Sequence, residues 1–509
     1  MANLVVCCDG TWNTPDQTDG GLPAPTNVPR LFNALAATDE RGGEQKKYYH
    51  SGVGTDGGWW NRLVGGGAGE GLDNNIKSAY QWLAYNYQPD AKIFLFGFSR
   101  GAYTVRSLSG MIARCGLLEI KGLSPNDAWK RIDQGFDCYR KRKLSAAYKN
   151  YKFHNVGDQG DPSGSTKIFF IGVWDTVGAL GIPDDMALLN LLDDPDQHRF
   201  HDTDLCDIVE HARHAVAIDE HRATFAPTLW TKIDAHQDAK QIWFPGVHGD
   251  VGGGYLQTDL SDGALKWMID EAKKLGLNFQ DITQQIHPYE WGIAHNSLTG
   301  IFKALKTRPR SVPTFAGPAG PFHPSAANRH KTSPIAQGAY WPTDILKVDD
   351  PPVTIDIFAR EHWNATGLYL EAGTYEFAAS GQWIDGDIKS GPDGRPDAFH
   401  LGEVVRMAGS GLGYVETLYQ SLTNNRQADF WWTKREEKCR WFSLIGVIAN
   451  GAPPSKDNPN GDSVFEIGNG CTVDIKPGEA GYLYCFANDA WQAYSNNKGS
   501  VALTVTRTH

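Results

Sequence analysis

The chain has 509 residues, too many for a single hydrophobic core, and this length predicts two or three domains. A net charge of −11 argues against a general nucleic-acid-binding surface, because phosphate contacts need clustered lysine and arginine, while a local basic patch stays open. The hydrophobic fraction of 41% and the charged fraction of 21% are those of an ordinary globular protein.

The first stretch, MANLVVCCDGTWN, does not have the pattern of a secretory signal, because it lacks a basic segment and its apolar run is short. No stretch of the sequence reaches the roughly 18 apolar residues that a membrane span needs. We therefore expect a soluble chain that is made in the cytoplasm. Export by a route that reads no N-terminal signal stays open.

Residues 1–304 alternate between short apolar runs and helical patterns, which predicts an α/β domain built on a mostly parallel sheet. The apolar runs predict four strands, at 4–8, 93–98, 168–174 and 241–247. Helical patterns cover 72–87 and 262–276. Binding and catalytic groups of such sheets lie at the carboxyl ends of the strands, where this sequence places Gly, Asp, Ser and His residues.

Two segments, about 118–165 and 179–240, interrupt this alternation and are predicted to be inserts. The first contains the Lys/Arg/Tyr-rich piece DCYRKRKLSAAYKNYKF, and the second is helical and irregular in pattern. Either insert can cap the carboxyl edge of the sheet or form a solvated excursion at the surface, and both interpretations stay open.

Ser99 lies in the pattern G-x-S-x-G, between the apolar run KIFLF and the helical pattern AYTVRSLSGMIARCG. A strand, a tight turn and a helix are the context of a nucleophile elbow, in which small flanking residues allow a strained backbone. The alternative is a serine between two turn glycines. The strand and helix around it favour Ser99 as a nucleophile.

A serine nucleophile needs a histidine base and an acid that orients the histidine. In α/β-hydrolases the chain order is serine, acid, histidine. Asp175 follows one predicted strand and His248 follows the next predicted strand, so the order matches. Three rivals for the acid remain at this point, and Asp250 is the strongest because it lies two residues from His248; the other two are Asp219 and Asp262.

Two backbone N–H groups are expected to stabilise the oxyanion. The first is that of Arg100, at the start of the predicted helix, and the second is that of Gly10 or Thr11, in the turn after the first strand. Asp9 either braces this loop or holds an ion, and the brace is the favoured role. Asp250 is a second supporting residue. The chemistry needs no cofactor.

Seven ordered blocks between about residues 3 and 300 together resemble an α/β-hydrolase domain of bacteria and fungi that includes the phospholipase effectors of type VI secretion. The blocks are DGTWN, GAGEGLDNNIKSAYQWLAYNY, IFLFGFSRGAY, VWDTVGALG, AIDEHRATFAP, WFPGVHGDVGGGY and LSDGALKWMID. The resemblance implies a hydrolase with Ser99, Asp175 and His248 as the triad. It also implies a phospholipase A activity on bacterial membranes.

Residues 305–350 are rich in Pro, Gly and Ser, which predicts a linker or an ordered wrap. Residues 351–509 lose the helical period, and their alternating and β-branched runs between turn signals predict a small all-β sandwich. Cys471 and Cys485 lie in predicted strands of this domain, and the sequence leaves open whether they pair.

The end of this domain concentrates hard oxygen ligands in the stretch NDAWQAYSNNKGS. One Asp, two adjacent Asn and a glycine turn suit Ca²⁺. A polar hairpin loop is the alternative, since Asn, Asp, Ser and Gly are also turn residues. The pattern alone favours the hairpin.

The same stretch resembles the calcium-binding end of the PA-I galactophilic lectin family, and the earlier segments AGTYEFAASGQW and SGPDG resemble that family too. The resemblance implies Ca²⁺ held by the side chains of Asp489, Asn496 and Asn497 and by the carbonyl of Ala493. The family segment that carries a sugar-contacting His and Gln is short here, DGRPDAFHLGE. Two residues of that segment are candidates to replace it, Asp397 and His400.

The sequence therefore predicts a serine esterase, with a phospholipid as favoured substrate, transient membrane contact and a lectin-like targeting domain. Its expected partners are a secretion apparatus and an immunity protein. A second interpretation is a carbohydrate or polyester esterase with a glycan-binding domain. A third, from another class, is a calcium-dependent lectin whose hydrolase half is an inactive scaffold.

Overall fold

Eight strands lie in the first half of the described chain. They are β1 (Asn3–Cys8), β2 (Thr18–Asp19), β3 (Leu22–Pro23), β4 (Gln45–His50), β5 (Lys92–Phe98), β6 (Ile168–Trp174), β7 (Val209–Ala217) and β8 (Asp238–Phe244). Six of them form one parallel sheet in the order β4-β1-β5-β6-β7-β8, while β2 and β3 form a short hairpin. The α/β prediction is thereby confirmed.

The structure is a computed structural model, and it describes most but not all of the chain. The described residues are 2–10, 13, 16–52, 68–156, 160–178, 204–299, 305–317, 320–334, 338–395, 434–451 and 462–509. Among these residues, no helix combines the length and the apolar character needed to cross a bilayer.

Helices cover both faces of the parallel sheet. Their bounds are α1 (Asn27–Ala34), α2 (Ala68–Asn86), α3 (Arg100–Cys115), α4 (Pro125–Arg140), α5 (Ala146–Lys149), α6 (His248–Gly252), α7 (Asp259–Lys274) and α8 (Pro324–Lys331). Along β1, Leu4 and Val6 face a core shared with α2, α3 and α4, whereas Val5 faces a core shared with α1 and α7. Burial on both faces explains the continuous apolar runs of the central strands.

The four strands predicted from the sequence match β1, β5, β6 and β8 to within a few residues. The edge strand β4, with the polar sequence QKKYYH, was not predicted. The segment 179–240 is not an insert throughout, because β7 lies inside it and pairs with both β6 and β8. The sequence VEHARHAVA of β7 is polar, yet its buried Arg213 forms an ion pair with Glu271 at 2.5 Å.

The segment 118–165 forms α4 and α5, which pack into the protein instead of extending into solvent. Ile132, Phe136 and Tyr148 are buried in the core shared with α2 and α3. Ser124 caps α4 by accepting a hydrogen bond from the Asp127 N–H at 3.1 Å. This segment is therefore part of the hydrophobic core of one face of the sheet.

Residues 305–317, called the strap below, are an ordered wrap and not a free linker. Arg308 Nε contacts Asp462 at 2.7 Å, and the Trp363 indole donates to the Thr307 carbonyl at 3.0 Å. The Tyr482 hydroxyl accepts from the Phe315 N–H at 3.1 Å. The strap thus contacts the C-terminal domain along its length.

The C-terminal region forms two antiparallel sheets that enclose one hydrophobic core. Its strands are β9 (Val353–Phe358), β10 (Asn364–Leu370), β11 (Gly373–Asp385), β12 (Ile388–Ser390), β13 (Asp393–Arg395), β14 (Trp441–Ala449), β15 (Ser463–Glu466), β16 (Gly470–Ile475), β17 (Gly481–Ala487) and β18 (Asn497–Arg507). One sheet has the order β10-β17-β14-β13 and the other β12-β11-β18-β9. The all-β prediction is confirmed. Cys471 on β16 and Cys485 on β17 are free thiols.

Candidate active site

The carboxyl ends of β5, β6 and β8 bring three predicted site residues to one edge of the sheet. Ser99 follows β5, Asp175 follows β6 and His248 follows β8. The Ser99 N–H donates to the Trp174 carbonyl at 3.1 Å, so Ser99 and Asp175 lie next to each other at the ends of two adjacent strands. All three side chains are buried.

Ser99 has an unusual backbone, with φ 57° and ψ −122°, at the start of α3. A side chain other than glycine is strained at this positive φ, and such strain marks functional turns. Gly97 and Gly101 make the turn possible, because a Cβ at Gly97 would lie 2.5 Å from the Gly101 carbonyl oxygen. A strand, a turn with a strained residue and a helix thus follow one another at Ser99, which is the geometry that the predicted nucleophile elbow requires.

His248 Nδ1 contacts Asp175 Oδ2 at 2.6 Å. An ionised carboxylate only accepts hydrogen bonds, so Nδ1 carries the proton and Nε2 is left as the basic nitrogen. The imidazole packs against Phe98, with ring centroids 4.5 Å apart, and against Phe225 at 5.0 Å. These aromatic contacts fix the plane of the ring.

Arg310 of the strap also binds Asp175, and it was not predicted as a site residue. Its Nη1 donates to Asp175 Oδ1 at 2.7 Å, and its Nη2 donates to Oδ2 at 2.9 Å. The same two nitrogens donate to the carbonyls of Ala217 and Phe225. Asp175 Oδ1 accepts a further bond from the Ala217 N–H at 2.9 Å.

The charges of these groups follow from burial and partners. Burial alone would raise the pKa of the Asp175 carboxyl, but Arg310 and the His248 hydrogen bond hold this pKa well below its ordinary value. Burial lowers the pKa of the His248 imidazole, and the bond to Asp175 opposes this effect. At neutral pH the site therefore holds an ionised Asp175 and a neutral His248.

The structure gives a different result for each of the three predicted oxyanion donors. Arg100 is the first residue of α3, where backbone N–H groups have no partner within the helix. The Gly10 N–H donates to Asp9 Oδ1 at 2.7 Å, so the prediction of Gly10 as an oxyanion donor disagrees with this geometry. Thr11 lies outside the described residues.

Asp9 braces the loop after β1 through hydrogen bonds to its carboxylate. Its carboxylate accepts from the Thr26 hydroxyl at 2.8 Å and from the Tyr49 hydroxyl at 2.9 Å, in addition to the Gly10 N–H. Burial raises the pKa of the Asp9 carboxyl to about 6, against the effect of these donors. The alternative of an ion held at Asp9 gains no support, because no group of three or more His, Cys, Asp or Glu side chains among the described residues could hold a metal.

Asp250 binds a different histidine from the one beside Asp175. Its Oδ1 contacts His295 Nδ1 at 2.6 Å, and its Oδ2 accepts from the Val247 N–H at 3.0 Å. Asp250 therefore stabilises the turn that carries His248 without touching that imidazole. The other two rival acids have partners of their own, Tyr340 for Asp219 at 2.8 Å and Arg30 for Asp262 at 2.7 Å.

Glu220 is a buried carboxylate beside His248 that the sequence did not single out. It accepts from Arg222 Nε at 2.9 Å, from the Ser297 hydroxyl at 2.9 Å and from the His248 N–H at 3.3 Å. Burial raises the pKa of the Glu220 carboxyl, but Arg222 more than offsets this and lowers it to about 2. Glu220 thus ties the backbone of His248 to the loop after β7.

Acid is expected to unfold the protein partly through Glu220. The folded pKa of about 2 lies below the ordinary 4.5, so the unfolded chain takes up the proton first and stability falls as the pH drops through this window. This carboxyl alone should lower the free energy of unfolding by about 3 kcal/mol between pH 5 and pH 2. Urea unfolding at several pH values measures this slope. A Glu220→Gln variant with an equally steep slope would contradict the assignment.

The predicted calcium residues lie close together at the start of β18. Asn497 Nδ2 donates to Asp489 Oδ2 at 3.0 Å, and Asn496 Nδ2 donates to Asp385 Oδ1 at 3.1 Å. Asn497 Oδ1 is buried without a hydrogen-bond partner among the described residues. Two carboxylates and a buried amide oxygen without a partner fit a hard cation. Asp397 and His400 lie outside the described residues.

Comparison with known proteins gives a family for the first half of the chain. Residues 2–271 match the family model described as T6SS, Phospholipase effector Tle1-like, catalytic domain. The uncharacterized protein YEL023C of Saccharomyces cerevisiae is 30% identical over 249 residues, which are 45% of this chain and 33% of that protein. The chain therefore spans about a third of the length of the curated relative it matches.

Two solved structures are distant neighbours. An uncharacterized protein from Pseudomonas aeruginosa has a TM-score of 0.31 at 19% identity, over 57% of this chain and 49% of that chain. The EclA N-terminal domain, described as a PllA-like lectin, has a TM-score of 0.18 at 19% identity, over 31% of this chain and 94% of that chain. Neither superposition is close enough to support a function. The family model, which covers more than half of the 509 residues, shows that this chain belongs to the Tle1-like phospholipase effector catalytic domain family of type VI secretion.

Proposed function

We propose that the protein is a serine esterase that hydrolyses the acyl esters of phospholipids. The observation that carries the proposal is the strained backbone of Ser99, with φ 57°, at the sheet edge that also holds the His248–Asp175 pair. Membership of a family described as phospholipase effectors supports a phospholipid as the substrate.

Acylation begins when Ser99 Oγ attacks the ester carbonyl and His248 Nε2 takes the hydroxyl proton. Asp175 keeps the proton on Nδ1 and stabilises the positive charge of the imidazolium. The Arg100 N–H donates to the developing oxyanion. The C–O bond to the alcohol then breaks, and His248 returns its proton to the departing lysophospholipid.

Deacylation uses the same groups in reverse roles. Water attacks the acyl-Ser99 carbonyl while His248 Nε2 takes one proton from the water. The bond to Ser99 Oγ breaks, and the proton on His248 returns to the serine. The products of a full cycle are one fatty acid and one lysophospholipid.

Vesicles of phosphatidylethanolamine and phosphatidylglycerol test the substrate class. We expect the wild-type protein to release free fatty acid and lysophospholipid, detected by mass spectrometry. Protein treated beforehand with a fluorophosphonate, which blocks an activated serine, is the matched control. Release from acetylated glycans or polyesters but not from vesicles would instead favour the carbohydrate or polyester esterase. A failure of the fluorophosphonate to label Ser99 would favour the lectin with an inactive scaffold.

A second proposal concerns calcium in the C-terminal domain, and it rests on the buried Asn497 Oδ1 that has no partner among the described residues. The side chains of Asp489, Asn496 and Asn497 and the Ala493 carbonyl would hold the ion. A bound Ca²⁺ ion can be coordinated by sugar hydroxyl oxygens in addition to the protein ligands. In this proposal the domain positions the enzyme on a glycan or lipid headgroup.

Calcium is expected to raise the melting temperature of the full chain. A ligand at one hundred times its Kd stabilises the folded state by about 2.7 kcal/mol. Asp489→Asn should abolish the rise, because it removes a buried carboxylate from the cluster. Asp474→Asn is the matched control, since Asp474 is an exposed carboxylate of the same domain. Equal rises in the two variants would identify the Asp489 loop as a plain hairpin.

Family membership also motivates three proposals about partners. As a type VI effector, the protein would be loaded on a secretion apparatus, would contact a membrane transiently, and would be neutralised by an immunity protein in the producing cell. It would be made in the cytoplasm and exported without a signal peptide. Co-purification from a strain with an intact secretion system tests the proposed binding to the secretion apparatus and to the immunity protein.

A further inference from the structure

Arg310 reaches the catalytic edge from outside the sheet, and a nucleophile, a base and an acid do not by themselves require it. Its guanidinium binds both oxygens of Asp175, at 2.7 Å and 2.9 Å, and its side chain is buried. An arginine that binds a carboxylate through two parallel bonds fixes the plane of that carboxylate. Arg310 is therefore well placed to act on the reaction through Asp175.

We propose that Arg310 is a positioning residue that orients Asp175 and keeps His248 neutral at mildly acidic pH. The inference rests on the proposed roles of Ser99, Asp175 and His248 and adds a fourth residue to them. It concerns the activity of the serine and is independent of which ester the enzyme prefers.

The orienting effect follows from the sharing of oxygens. Asp175 Oδ2 accepts from both Arg310 Nη2 and His248 Nδ1, while Oδ1 accepts from Arg310 Nη1 and the Ala217 N–H. Without the guanidinium, the carboxylate keeps one donor on each oxygen and gains freedom to rotate. A rotated carboxylate would turn the imidazole and change the direction in which Nε2 points, and small misplacements of a catalytic group are costly.

The charge effect follows from the pairing of Asp175 with a permanent cation. A lone buried carboxylate would strongly stabilise the imidazolium form of His248. With Arg310 bound to both oxygens, the two charges largely cancel, and the cation also repels a second positive charge nearby. His248 therefore remains neutral, and able to accept a proton, at lower pH than it would without Arg310.

Other ionisable groups lie on the elements around this pair. Glu220 and Arg222, after β7, form an ion pair at 2.8 Å. Burial lowers the pKa of His214 on β7 to about 3, so this imidazole is neutral. The remaining groups are Arg106 on α3, the Asp250–His295 pair at α6, and Asp9 after β1. Asp9 needs a control, because burial raises its pKa to about 6.

The strap holds Arg310 in place through its contacts with the C-terminal domain. Arg308 lies two residues earlier and binds Asp462 at 2.7 Å, and Tyr482 accepts from the Phe315 N–H. Arg308 is thus an arginine of the same segment whose partner lies away from the triad. It provides a matched control for the loss of a strap arginine.

The test is the rate at which a fluorophosphonate labels Ser99 as a function of pH. In this reaction the P–O bond to Ser99 forms, the P–F bond breaks to release fluoride, and the serine proton passes through His248 to solvent. The rate therefore reports the fraction of neutral His248 without any lipid substrate. Arg310→Met should move the acid limb of this profile upward by about one to two pH units and lower the plateau rate at least tenfold. Arg308→Met should leave the position of the acid limb unchanged.

Two further variants keep the outcome decisive. Arg310→Lys retains the charge but cannot bind both oxygens in parallel, so its acid limb should stay near that of the wild type while its plateau rate falls. This variant is the test if Arg310→Met does not fold, as judged by circular dichroism. Wild-type rates in Arg310→Lys, or an unmoved limb in a folded Arg310→Met, would overturn the proposal. If the acid limb moves as far in Asp9→Asn as in Arg310→Met, the limb is assigned to Asp9 and the proposal is overturned. No labelling of the wild type at any pH would instead refute the proposed function.

Discussion

Ser99→Ala is expected to lower fatty-acid release from phospholipid vesicles by at least about 10⁴-fold. In the proposed mechanism, the substitution removes the atom that forms the acyl intermediate, and serine enzymes that lose their nucleophile retain only the contribution of substrate binding and the oxyanion donors. The fold should survive, because the Ser99 side chain does not cap α3. Product analysis by mass spectrometry, with melting curves for both proteins, measures the two effects.

Ser109→Ala is the matched control for this loss. Ser109 lies in the same helix and is buried, and its hydroxyl donates to the Arg106 backbone carbonyl at 2.7 Å. Its removal should cost about 1 kcal/mol of stability or less and leave the rate near that of the wild type. Residual release from Ser99→Ala comparable to that of Ser109→Ala would mean that another residue performs the attack.

Gly101→Ala is expected to damage both stability and activity. A Cβ at this position would lie closer than 3.0 Å to the carbonyl oxygens of Cys8 and Asp9, which are backbone atoms that cannot move aside freely. The start of α3 must then shift away from the end of β1, at a cost of about 1–3 kcal/mol or more. Because Ser99 and the Arg100 N–H lie in the displaced turn, the rate should fall at least about a hundredfold.

Gly110→Ala, in the same helix, separates this effect from a general intolerance of alanine. The nearest atom to a Cβ there is the Tyr139 hydroxyl oxygen at 3.1 Å, at the far end of a flexible side chain. Alanine also favours helix by up to about 1 kcal/mol over glycine. Stability should therefore change by no more than about 1 kcal/mol. Equal losses in the two variants would refute the close approach at Gly101.

The meeting of Ser99, Asp175 and His248 at one edge of the sheet could be predicted from sequence, because each follows a buried strand of one parallel sheet. In such a sheet the carboxyl ends meet at one edge, so local patterns are enough to place the three together. The preference for Asp175 over Asp250 needed the chain order of a known fold. The structure adds the physical reason, since the Asp250 carboxylate is occupied by His295.

Arg310 could not be predicted, because its position depends on the path of a segment without periodicity. The run TRPRSVP is typical of a linker, and only its tertiary contacts bring one of its two arginines to Asp175. The strand β7 was missed for a related reason. Its Arg213 and His214 are polar residues that favour the surface, yet both are buried with partners on other elements.

The position of Arg310 has a practical consequence for dividing the gene. A truncated protein that ends at residue 304, the boundary suggested by composition, would retain the whole parallel sheet but lose the counter-ion of Asp175. Removal of one partner of a buried ion pair costs about 3–5 kcal/mol, a large part of the stability of a typical domain. Expression of the hydrolase half alone should therefore include the segment through residue 317 at least. Poor yield or inactivity of a shorter piece would reflect this missing cation and say nothing about the chemistry of Ser99.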